Sequence, residues 1–567
     1  MGRLVFQSNP SSNQAESNGI EYTYDGLSRI TRERETVAPY AETRHSYLNS
    51  HRHRIYDPQN FYVDYYSYGY DGPGNRDYRE IRHSTGVRTE LIKNIWGELT
   101  RVRQRGSQNG FTVDQSHDYF YDAQRRVCRY HVPELGATHY QYDAAGQLTA
   151  YASGQANSGC SVGNSNARVN LSYDAMGRLT NTNYVDSATP NIQRTYDVDG
   201  NLLTIARTGV VWNYTYNNLD LLTSEQLTVD GRQYGLSYQY NNAGHLTQRT
   251  LPSGRVVQYS LDGLGRQQGV QVDGQTFLSQ VSYHPSGQLT AMRYGNGQQF
   301  TKTLNARLLP ASIHSATGSQ VALHQSFSYD ARGNVTGIND LAVAGNSRSN
   351  SYDGMNRLVS ASGPWGSGSY VYDALGNLRK KTLGARSVTS SYDGQNRLTR
   401  SVDSGWSGAR NFSYDSRGNV IAAGQLQFTY DRSEQPVAIS GTANGIGSAS
   451  GSYRYDGHLK RVKQQVNGRT IYSVYDRSGA LVHQDAVTAG EQTDYIAGPQ
   501  GTLARIKNNV ATYLHHDILG SAQSGTNLSR VVQWREQYSP FGEELQGISA
   551  NTDQAGYTGH IRDAATD

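Results

Sequence analysis

A short pattern that begins with Tyr-Asp returns about every 20 residues through much of the chain, and a fixed period in this range indicates a repeat architecture. Residues 372–378 read YDALGNL, residues 392–398 read YDGQNRL and residues 414–420 read YDSRGNV. Asp and Gly three places apart are typical of the first and last residues of a type I turn. Where Gly is absent, as at Asn356 and Asn396, its replacement also tolerates a left-handed backbone. The pattern therefore predicts a turn that ends at positive φ.

The stretch between two Tyr-Asp turns has room for two short strands and one tighter turn. Residues 229–232, 272–275 and 466–469 place Asp-Gly or Asn-Gly between β-formers, which is the strongest short-range signal for a hairpin. No segment shows a sustained helical period. The units in series therefore predict an all-β fold, a long antiparallel meander of hairpins.

The regularity of the repeat divides the chain into three predicted regions. Residues 1–120 are a degenerate Tyr-Asp region, residues 121–494 carry the regular repeats, and residues 495–567 leave the repeat. Three Gly/Ser-rich stretches inside the regular region, residues 152–166, 362–369 and 440–452, are expected to form longer loops between units.

Composition excludes several functional classes. The 43 Tyr and 60 Gly argue against a disordered chain despite a mean hydropathy of −0.69, because tyrosine rings bury large areas. The net charge of +4 comes from 52 basic and 48 acidic residues that are interspersed, so no nucleic-acid partner is predicted. No apolar run approaches the roughly 18 residues of a membrane span. We therefore expect neither nucleic-acid binding nor a stable membrane span.

The N-terminus and the cysteines give two further expectations. Residues 2–5 resemble the second half of a Tyr-Asp unit and no signal peptide, so we expect a start inside a longer array and an export route that the sequence does not encode. Cys128 and Cys160 lie at unrelated points of the repeat, and a disulfide framework or zinc site would need more cysteines. We expect two unpaired thiols.

Two groups of residues are candidates for binding sites. His515, His516 and Asp517 are metal-ligand types, but neighbouring strand residues point to opposite faces, which favours a structural role. The aromatic run 61–70, with Arg52, Arg54 and Arg76 nearby, is either a stacking platform for single-stranded nucleic acid or sugar, or a set of packed strands; strands favour tyrosine, so we expect the second. No catalytic, cofactor-binding or metal-binding residue is predicted, and no cofactor.

The last region carries a family resemblance. Its blocks read YLHHDILGS at residues 513–521, YSPFGE at 538–543 and YTGHIRD at 557–563. Together with the Tyr-Asp repeats they resemble the Rhs/YD-repeat family, which includes bacterial polymorphic toxins, the C components of insecticidal toxin complexes, and the teneurins. The matching positions are Tyr513, His515, Asp517, Gly520, Ser521, Tyr538, Pro540, Phe541, Gly542, Glu543, Tyr557, Thr558, Gly559, His560 and Asp563.

The resemblance implies a β-strip wound into a hollow cocoon that holds a C-terminal toxic domain. Residues 495–567 resemble the Rhs-associated core domain of this family, incomplete at its C-terminus. In the family this core has an aspartyl autoprotease activity, and the motif that carries it lies beyond the position of residue 567. We therefore expect a non-enzymatic chain.

The leading hypothesis is a structural shell that encapsulates a C-terminal toxin domain and helps to deliver it. Its expected partners are that toxin domain and a secretion-system or shell-plugging protein. The expected location is bacterial, cytoplasmic before export and then secreted or delivered at the cell surface. The alternative is an extracellular adhesin or carbohydrate-binding surface protein.

Overall fold

The chain folds into one continuous antiparallel meander. The computed structural model describes residues 4–8, 18–37, 40–48, 51–68, 77–156, 158–406, 408–443, 447–545 and 556–559. Within them are 48 strands, and each strand pairs antiparallel with the next strand along the chain. Two 3-10 turns, Ala344–Asn346 and Tyr557–Gly559, are the helical elements of this part of the chain. The predicted all-β meander is confirmed.

The strands have the following bounds: β1 (Phe6–Ser8), β2 (Gly19–Tyr24), β3 (Ile30–Glu35), β4 (Glu42–Leu48), β5 (His51–Tyr56), β6 (Tyr62–Tyr68), β7 (Asp77–His83), β8 (Arg88–Lys93), β9 (Leu99–Gln108), β10 (Phe111–Tyr121), β11 (Val127–Val132), β12 (Gly136–Tyr142), β13 (Leu148–Gln155), β14 (Arg168–Tyr173), β15 (Leu179–Tyr184), β16 (Ile192–Tyr196), β17 (Leu202–Arg207), β18 (Val210–Tyr216), β19 (Leu222–Val229), β20 (Arg232–Tyr240), β21 (Leu246–Thr250), β22 (Val256–Leu261), β23 (Gln267–Val272), β24 (Gln275–Tyr283), β25 (Leu289–Tyr294), β26 (Gln299–Leu304), β27 (Pro310–Thr317), β28 (Gln320–Tyr329), β29 (Val335–Asp340), β30 (Arg348–Tyr352), β31 (Leu358–Gly363), β32 (Gly366–Tyr372), β33 (Leu378–Leu383), β34 (Arg386–Tyr392), β35 (Leu398–Asp403), β36 (Ala409–Tyr414), β37 (Val420–Ala423), β38 (Leu426–Tyr430), β39 (Pro436–Ala443), β40 (Gly447–Tyr455), β41 (Arg461–Val466), β42 (Arg469–Tyr475), β43 (Leu481–Ala486), β44 (Glu491–Gly498), β45 (Gly501–Lys507), β46 (Val510–His516), β47 (Ala522–Thr526) and β48 (Val532–Arg535).

The Tyr-Asp turn owes its shape to the aspartate. Asp373 Oδ1 accepts hydrogen bonds from the backbone N–H groups of Leu375 and Asn377 at 2.9 and 3.0 Å. The Gly376 N–H donates to the Asp373 carbonyl oxygen at 3.1 Å, and Gly376 has φ +91°. Asn356 and Asn396 occupy the same position with φ +60° and +64° in their own turns. The predicted positive φ is confirmed.

The tyrosine of each unit joins that unit to the preceding one. The Tyr372 hydroxyl donates to the Leu358 carbonyl oxygen at 2.8 Å, where Leu358 is the first strand residue after the preceding turn. The same bond recurs at Tyr121, Tyr142, Tyr173, Tyr196, Tyr216, Tyr240, Tyr283, Tyr329, Tyr352, Tyr392, Tyr414 and Tyr455. A buried hydroxyl needs a partner, and here the partner sets the spacing between units.

The residue four places after the aspartate also couples neighbouring turns. Arg357 pairs with its own Asp353 at 2.7 Å, donates to the Asp373 carbonyl oxygen at 2.9 Å, and lies 4.8 Å from the centroid of the Tyr372 ring. Units with Asn at this position use its amide instead: Asn377 Nδ2 donates to Asp373 Oδ2 at 2.9 Å. The repeat therefore specifies a strip of fixed pitch from local contacts alone.

The strip has two long sides made of different turns. One side, the Tyr-Asp edge, carries turns such as residues 373–377, and the other, the hairpin edge, carries tight turns such as residues 230–231. Gln59 on the hairpin edge donates to Asp330 on the Tyr-Asp edge at 2.8 Å, across 271 residues. Asn109 on the hairpin edge donates to the Tyr372 carbonyl oxygen at 2.8 Å, across 263 residues. The strip therefore winds, and the hairpin edge of one winding lies on the strip one winding later.

The main hydrophobic core lies where residues 169–323 meet residues 462–513. Trp212, Phe300, Ile496 and Tyr513 are among its largest side chains and are at most 2% exposed. The core therefore joins two windings that are distant in sequence.

The expectation of two unpaired thiols is wrong, because Cys128 and Cys160 form a disulfide with their Cα atoms 5.2 Å apart. The loop between β13 and β14 folds back over the sheet, where Val162 packs on Ala150 and Ala152. This return path brings Cys160 to β11, and the repeat does not encode it.

The longer loops expected at residues 362–369 and 440–452 are also absent from the described residues of those stretches. The first stretch contributes to β31 and β32, which pair through the tight register Gly363 to Gly366. The second contributes to β39 and β40, which pair from Ala438 to Ala443. Small side chains there allow close strand pairing.

Candidate functional site

The first block of the terminal region is a strand followed by another turn of the Tyr-Asp type. The backbone N–H groups of Leu519 and Ser521 both donate to Asp517 Oδ1 at 2.9 Å, and Gly520 has φ +85°. His516 takes the place of tyrosine, with the same register shift before the turn. The sequence predicts that residues 495–567 leave the repeat, yet the Asp-x-x-Gly spacing of residues 517–520 is a signal for the shared turn.

The histidines of β46 are buried within the sheet. His515 Nε2 lies 2.9 Å from Thr526 Oγ1, and its ring centroid lies 4.6 Å from that of Tyr294, one winding away. Burial lowers the pKa of His515 to about 3 and that of His516 to about 4, so both are neutral at neutral pH. Nowhere in the described ranges are three or more His, Cys, Asp or Glu side chains grouped so as to hold a metal ion.

The second block, residues 538–543, and the described part of the third block, residues 557–559, contact one another. The Tyr557 hydroxyl donates to the Pro540 carbonyl oxygen at 2.9 Å, and the Tyr557 and Tyr538 ring centroids lie 5.5 Å apart. The Thr558 N–H donates to Ser521 Oγ at 3.0 Å, which ties the third block to the first. His560 and Asp563 lie outside the described residues.

The second block also packs against the repeat region. The Phe541 ring centroid lies 5.0 Å from that of Tyr370, and Lys381 Nζ lies 2.6 Å from Glu543 Oε1. Arg348 donates to the Tyr538 carbonyl oxygen at 3.3 Å. The three terminal blocks thus contact one another and the repeat region, and the polar groups named above form contacts within the protein.

The aromatic side chains of β6 contact arginines of the neighbouring strands. Arg54 pairs with the buried Asp64 at 2.7 Å and lies 3.9 Å from the centroid of the Tyr62 ring. Arg82 lies 4.4 Å from the centroid of the Tyr66 ring. Gly69, Tyr70 and Arg76 lie outside the described residues, and Arg52 is exposed. Of the candidate arginines, Arg54 is the one that contacts the described part of the run.

Buried charged pairs join two windings along one contact surface. We use "seam" for the contacts of residues 184–323 with residues 431–535. Arg207 pairs with Asp431 at 2.5 Å, and both side chains are at most 5% exposed. Trp212 Nε1 donates to Asp456 Oδ2 at 2.8 Å, and Arg249 pairs with Asp476 at 2.7 Å.

One carboxyl at the seam stands out by its protonation. Glu225 is buried beside the Tyr238 hydroxyl, which donates to it, and its Oε1 also accepts from the Arg477 N–H at 3.3 Å. Burial is the main cause that raises the pKa of Glu225 to about 7, while the two hydrogen bonds oppose the rise. No sequence signal marks Glu225, because part of its environment is supplied by the turn at Arg477, 252 residues away.

Family comparison agrees with this architecture. The sequence matches the teneurin YD-shell family over residues 155–309 and 278–567. The chain belongs to this family. The predicted relation to Rhs/YD-repeat proteins is confirmed, and the fold is a YD-repeat β-shell.

Solved structures show the same shell. A TcdB2-TccC3 crystal structure aligns with a TM-score of 0.65 at 15% identity, over 99% of this chain and 35% of that one. A structure of the Photorhabdus luminescens Tc holotoxin pore aligns with a TM-score of 0.63 at 14% identity, over 97% of this chain and 33% of that one. At these identities the likeness establishes the fold of the YD-shell chain.

Two curated relatives match a smaller part of the YD-shell chain. The tRNA3(Ser)-specific nuclease WapA of Bacillus spizizenii is 26% identical over 184 residues, which is 30% of this chain and 7% of that protein. The tRNA nuclease WapA of Bacillus subtilis is 25% identical over 152 residues, which is 26% of this chain and 6% of that protein. The YD-shell chain therefore spans a small fraction of either relative. Across the described ranges there is no helix of the length and apolarity that crossing a bilayer requires.

Proposed function

We propose that this YD-shell chain is the wall of a container that encloses a C-terminal toxin domain and helps to deliver it. The observation that supports this most directly is the seam, where buried pairs such as Arg207 with Asp431 join windings 224 residues apart. A ribbon joined to itself in this way forms a continuous wall.

The two kinds of edge explain why such a wall is stable as a single sheet. A strand at a sheet edge exposes unpaired N–H and C=O groups and promotes aggregation. In this meander the long sides consist of turns whose backbone groups are already bonded, as at Asp373 and Gly376. Each winding then adds side-chain contacts along the turns.

A non-enzymatic role agrees with how the titratable groups are used. Asp517 closes a turn, His515 is neutral and bonded to Thr526, and Glu543 pairs with Lys381. A catalytic acid or base must reach a substrate proton, and these groups are engaged within the wall.

A container implies a molecule that it encloses and a protein that closes or exports it. We propose an enclosed toxin domain and a secretion-system or shell-plugging protein, with synthesis in a bacterial cytoplasm followed by secretion or delivery at a cell surface. The solved neighbours named above are parts of Tc toxin assemblies, which supports this proposal at the level of fold.

Protection of a guest from protease tests containment. A flexible, protease-sensitive guest of about 100 residues would be joined to the C-terminus, and its digestion by a broad-specificity protease timed against the same guest free in solution. Containment requires much slower digestion of the joined guest. Arg207→Asp places two carboxylates together at the buried seam and should remove the protection, because an unpaired buried charge is strongly destabilising.

The matched control is Arg400→Asp, the same charge reversal at an exposed position of β35. It should leave the guest protected. Digestion of the joined guest at the rate of the free guest would contradict containment. Saturable binding of the guest-free chain to a glycan array would instead favour the adhesin or carbohydrate-binding alternative.

A further inference from the structure

A large cleft lies between the two windings, on the Tyr-Asp side of the seam. Its volume is about 1260 Å³, compared with 440, 530 and 450 Å³ for three other cavities of the described structure. One wall comes from the ends of β20 to β23, and the other comes from β39 to β46. Ligand sites are commonly clefts of about 300–1,000 Å³, so this one has room for more than one small molecule.

The floor and walls of the cleft are mostly apolar. Leu246, Leu261, Val482 and Leu514 line it together with tyrosine rings from both windings. Leu514 and Val482 are each 1% exposed and form a fixed floor, whereas Leu246 and Leu261 are half-buried and keep apolar surface open to the cleft. A ligand that fills this space buries apolar surface.

Three of the five lining tyrosines offer rings rather than free hydroxyls. Tyr240 donates to the Leu222 carbonyl oxygen at 2.7 Å, Tyr455 to that of Pro436 at 2.9 Å, and Tyr495 to Gln484 Oε1 at 2.7 Å. A sugar needs several free donors and acceptors around its hydroxyl groups, and these hydroxyls are engaged. The lining therefore favours a ligand with apolar side chains over a carbohydrate.

The charged residues of the cleft lining are Arg249, Arg461 and Asp476, and Arg249 has one donor without an acceptor. Arg249 is 6% exposed, pairs with Asp476 at 2.7 Å and donates to Tyr259 at 3.1 Å. Its Nε is buried and has no acceptor among the described residues. An unpaired buried donor is costly, and a carbonyl oxygen at this end of the cleft supplies an acceptor after a small shift of the side chain.

We propose that this cleft binds an extended, uncharged peptide segment with apolar side chains, one carbonyl oxygen of which accepts from the Arg249 guanidinium. The proposal rests on the proposed function, because an enclosed, incompletely folded guest is a source of such segments. The cleft then serves as a holding site on the wall.

The probe is a dansyl-labelled hexapeptide of alternating leucine and serine with blocked termini, mixed with the guest-free chain and followed by fluorescence polarisation after equilibrium dialysis. We expect saturable binding to one site per chain. Thr502→Trp places a large ring in the cleft and should weaken binding at least about tenfold, which is a loss of about 1.4 kcal/mol.

Thr512→Trp is the matched control, because Thr512 lies on the neighbouring strand β46 outside the cleft lining. It should bind like the unchanged chain. Arg249→Lys keeps the charge opposite Asp476 but loses the planar fork, and it should weaken binding severalfold when measured well below the unfolding temperature of the variant.

Three results would overturn the proposal: no saturable binding, equal loss in both tryptophan variants, or displacement of the peptide by neutral oligosaccharides. Failure here and failure of containment are distinguishable. If the chain protects its joined guest but binds no hexapeptide, containment stands and the peptide site in the cleft is contradicted. If it binds the hexapeptide but does not protect the guest, the peptide site stands and containment is contradicted.

Discussion

Tyr372 and Leu358 are joined by a hydrogen bond from the phenolic hydroxyl to the main-chain carbonyl oxygen at 2.8 Å, across the boundary between two repeats. The same bond links many neighbouring units, so the tyrosine that marks the repeat in the sequence also sets its pitch in the structure. Tyrosine is used here because phenylalanine has the ring without the donor.

Tyr372→Phe should therefore lower the free energy of unfolding by about 0.5–1.5 kcal/mol, the usual net value of one hydrogen bond, because the Leu358 carbonyl loses its partner. Urea denaturation measures the change. Tyr65→Phe, at a tyrosine that is 39% exposed, is the control and should change little. An equal effect at both positions would show that the hydroxyl bond does not matter.

The glycines that end the Tyr-Asp turns should separate into two classes. Gly376 has φ +91° and open space where a Cβ atom would lie, so Gly376→Asn should be tolerated while Gly376→Val should cost about 1–2 kcal/mol of stability. Thermal unfolding of the two variants measures the difference. Equal losses from the two substitutions would mean that backbone conformation is not the constraint.

Gly418 is the matched case in which space is the constraint. Its φ is +82°, but a Cβ there would lie 2.7 Å from the Glu134 carbonyl oxygen on the neighbouring winding. Gly418→Asn should therefore be as damaging as Gly418→Val, with both measured by thermal unfolding. Tolerance of asparagine at Gly418 would contradict the close approach of the two windings.

These positions show what the sequence can predict and what it cannot. The turns, the strands and the positive φ at Asn396 follow from residue types a few places apart, and the structure confirms them. The proximity of Gly418 to Glu134, of Glu225 to Arg477 and of Cys128 to Cys160 depends on how the strip winds or a loop returns. Winding is the sum of small twists over hundreds of residues, and no local pattern encodes that sum.

The buried Glu225 gives the seam a defined pH dependence. Its pKa is raised to about 7 in the folded chain, above the ordinary value of 4.5, so the folded state holds a proton that the unfolded state releases between these values. This group's contribution to stability is fully present below pH 4.5 and is lost as the pH rises through 7. Glu225→Gln should therefore be relatively more stable at pH 8 than at pH 5.

Denaturation at the two pH values, compared with the unchanged chain, measures this effect. Gln keeps an acceptor oxygen for the Tyr238 hydroxyl, so a general loss of packing is not expected. The control is Glu98→Gln at an exposed Arg125 pair, where hydrogen bonds from Asn94 and Arg125 lower the pKa. That carboxyl is ionised at both pH values, so its substitution should show no trend between them. The same pH trend in both variants would contradict the assignment to Glu225.

The disulfide should restrain the returning loop of residues 158–167. Its cysteines are 32 residues apart, and closing a loop of that length contributes about 3–4 kcal/mol in the chain-entropy treatment. The double variant Cys128→Ser, Cys160→Ser should unfold at a lower temperature and should be cut by protease within this loop. The unchanged chain should acquire the same cut when treated with dithiothreitol. Equal resistance before and after reduction would mean that the contacts of Val162 hold the loop without the covalent bond.

The radius of gyration separates a hollow wall from a filled globule. A compact chain of 567 residues should have a radius of about 24–25 Å from the usual scaling with length. A wall of packed windings around an open interior places its mass at the periphery, so we expect small-angle scattering to give a value several ångströms larger. Its pair-distance distribution should be skewed to long distances. The maximum dimension should stay far below that of an extended ribbon, because the hairpin edge returns onto the strip, as Asn109 does at Tyr372.

A chain that is 36% hydrophobic has too little apolar surface to bury both faces of a strip this long, which is the physical reason to expect solvent on the inner face as well as the outer one. A symmetric distribution with the compact radius would instead describe stacked sheets without a lumen, and containment of a guest would then have no room in which to occur.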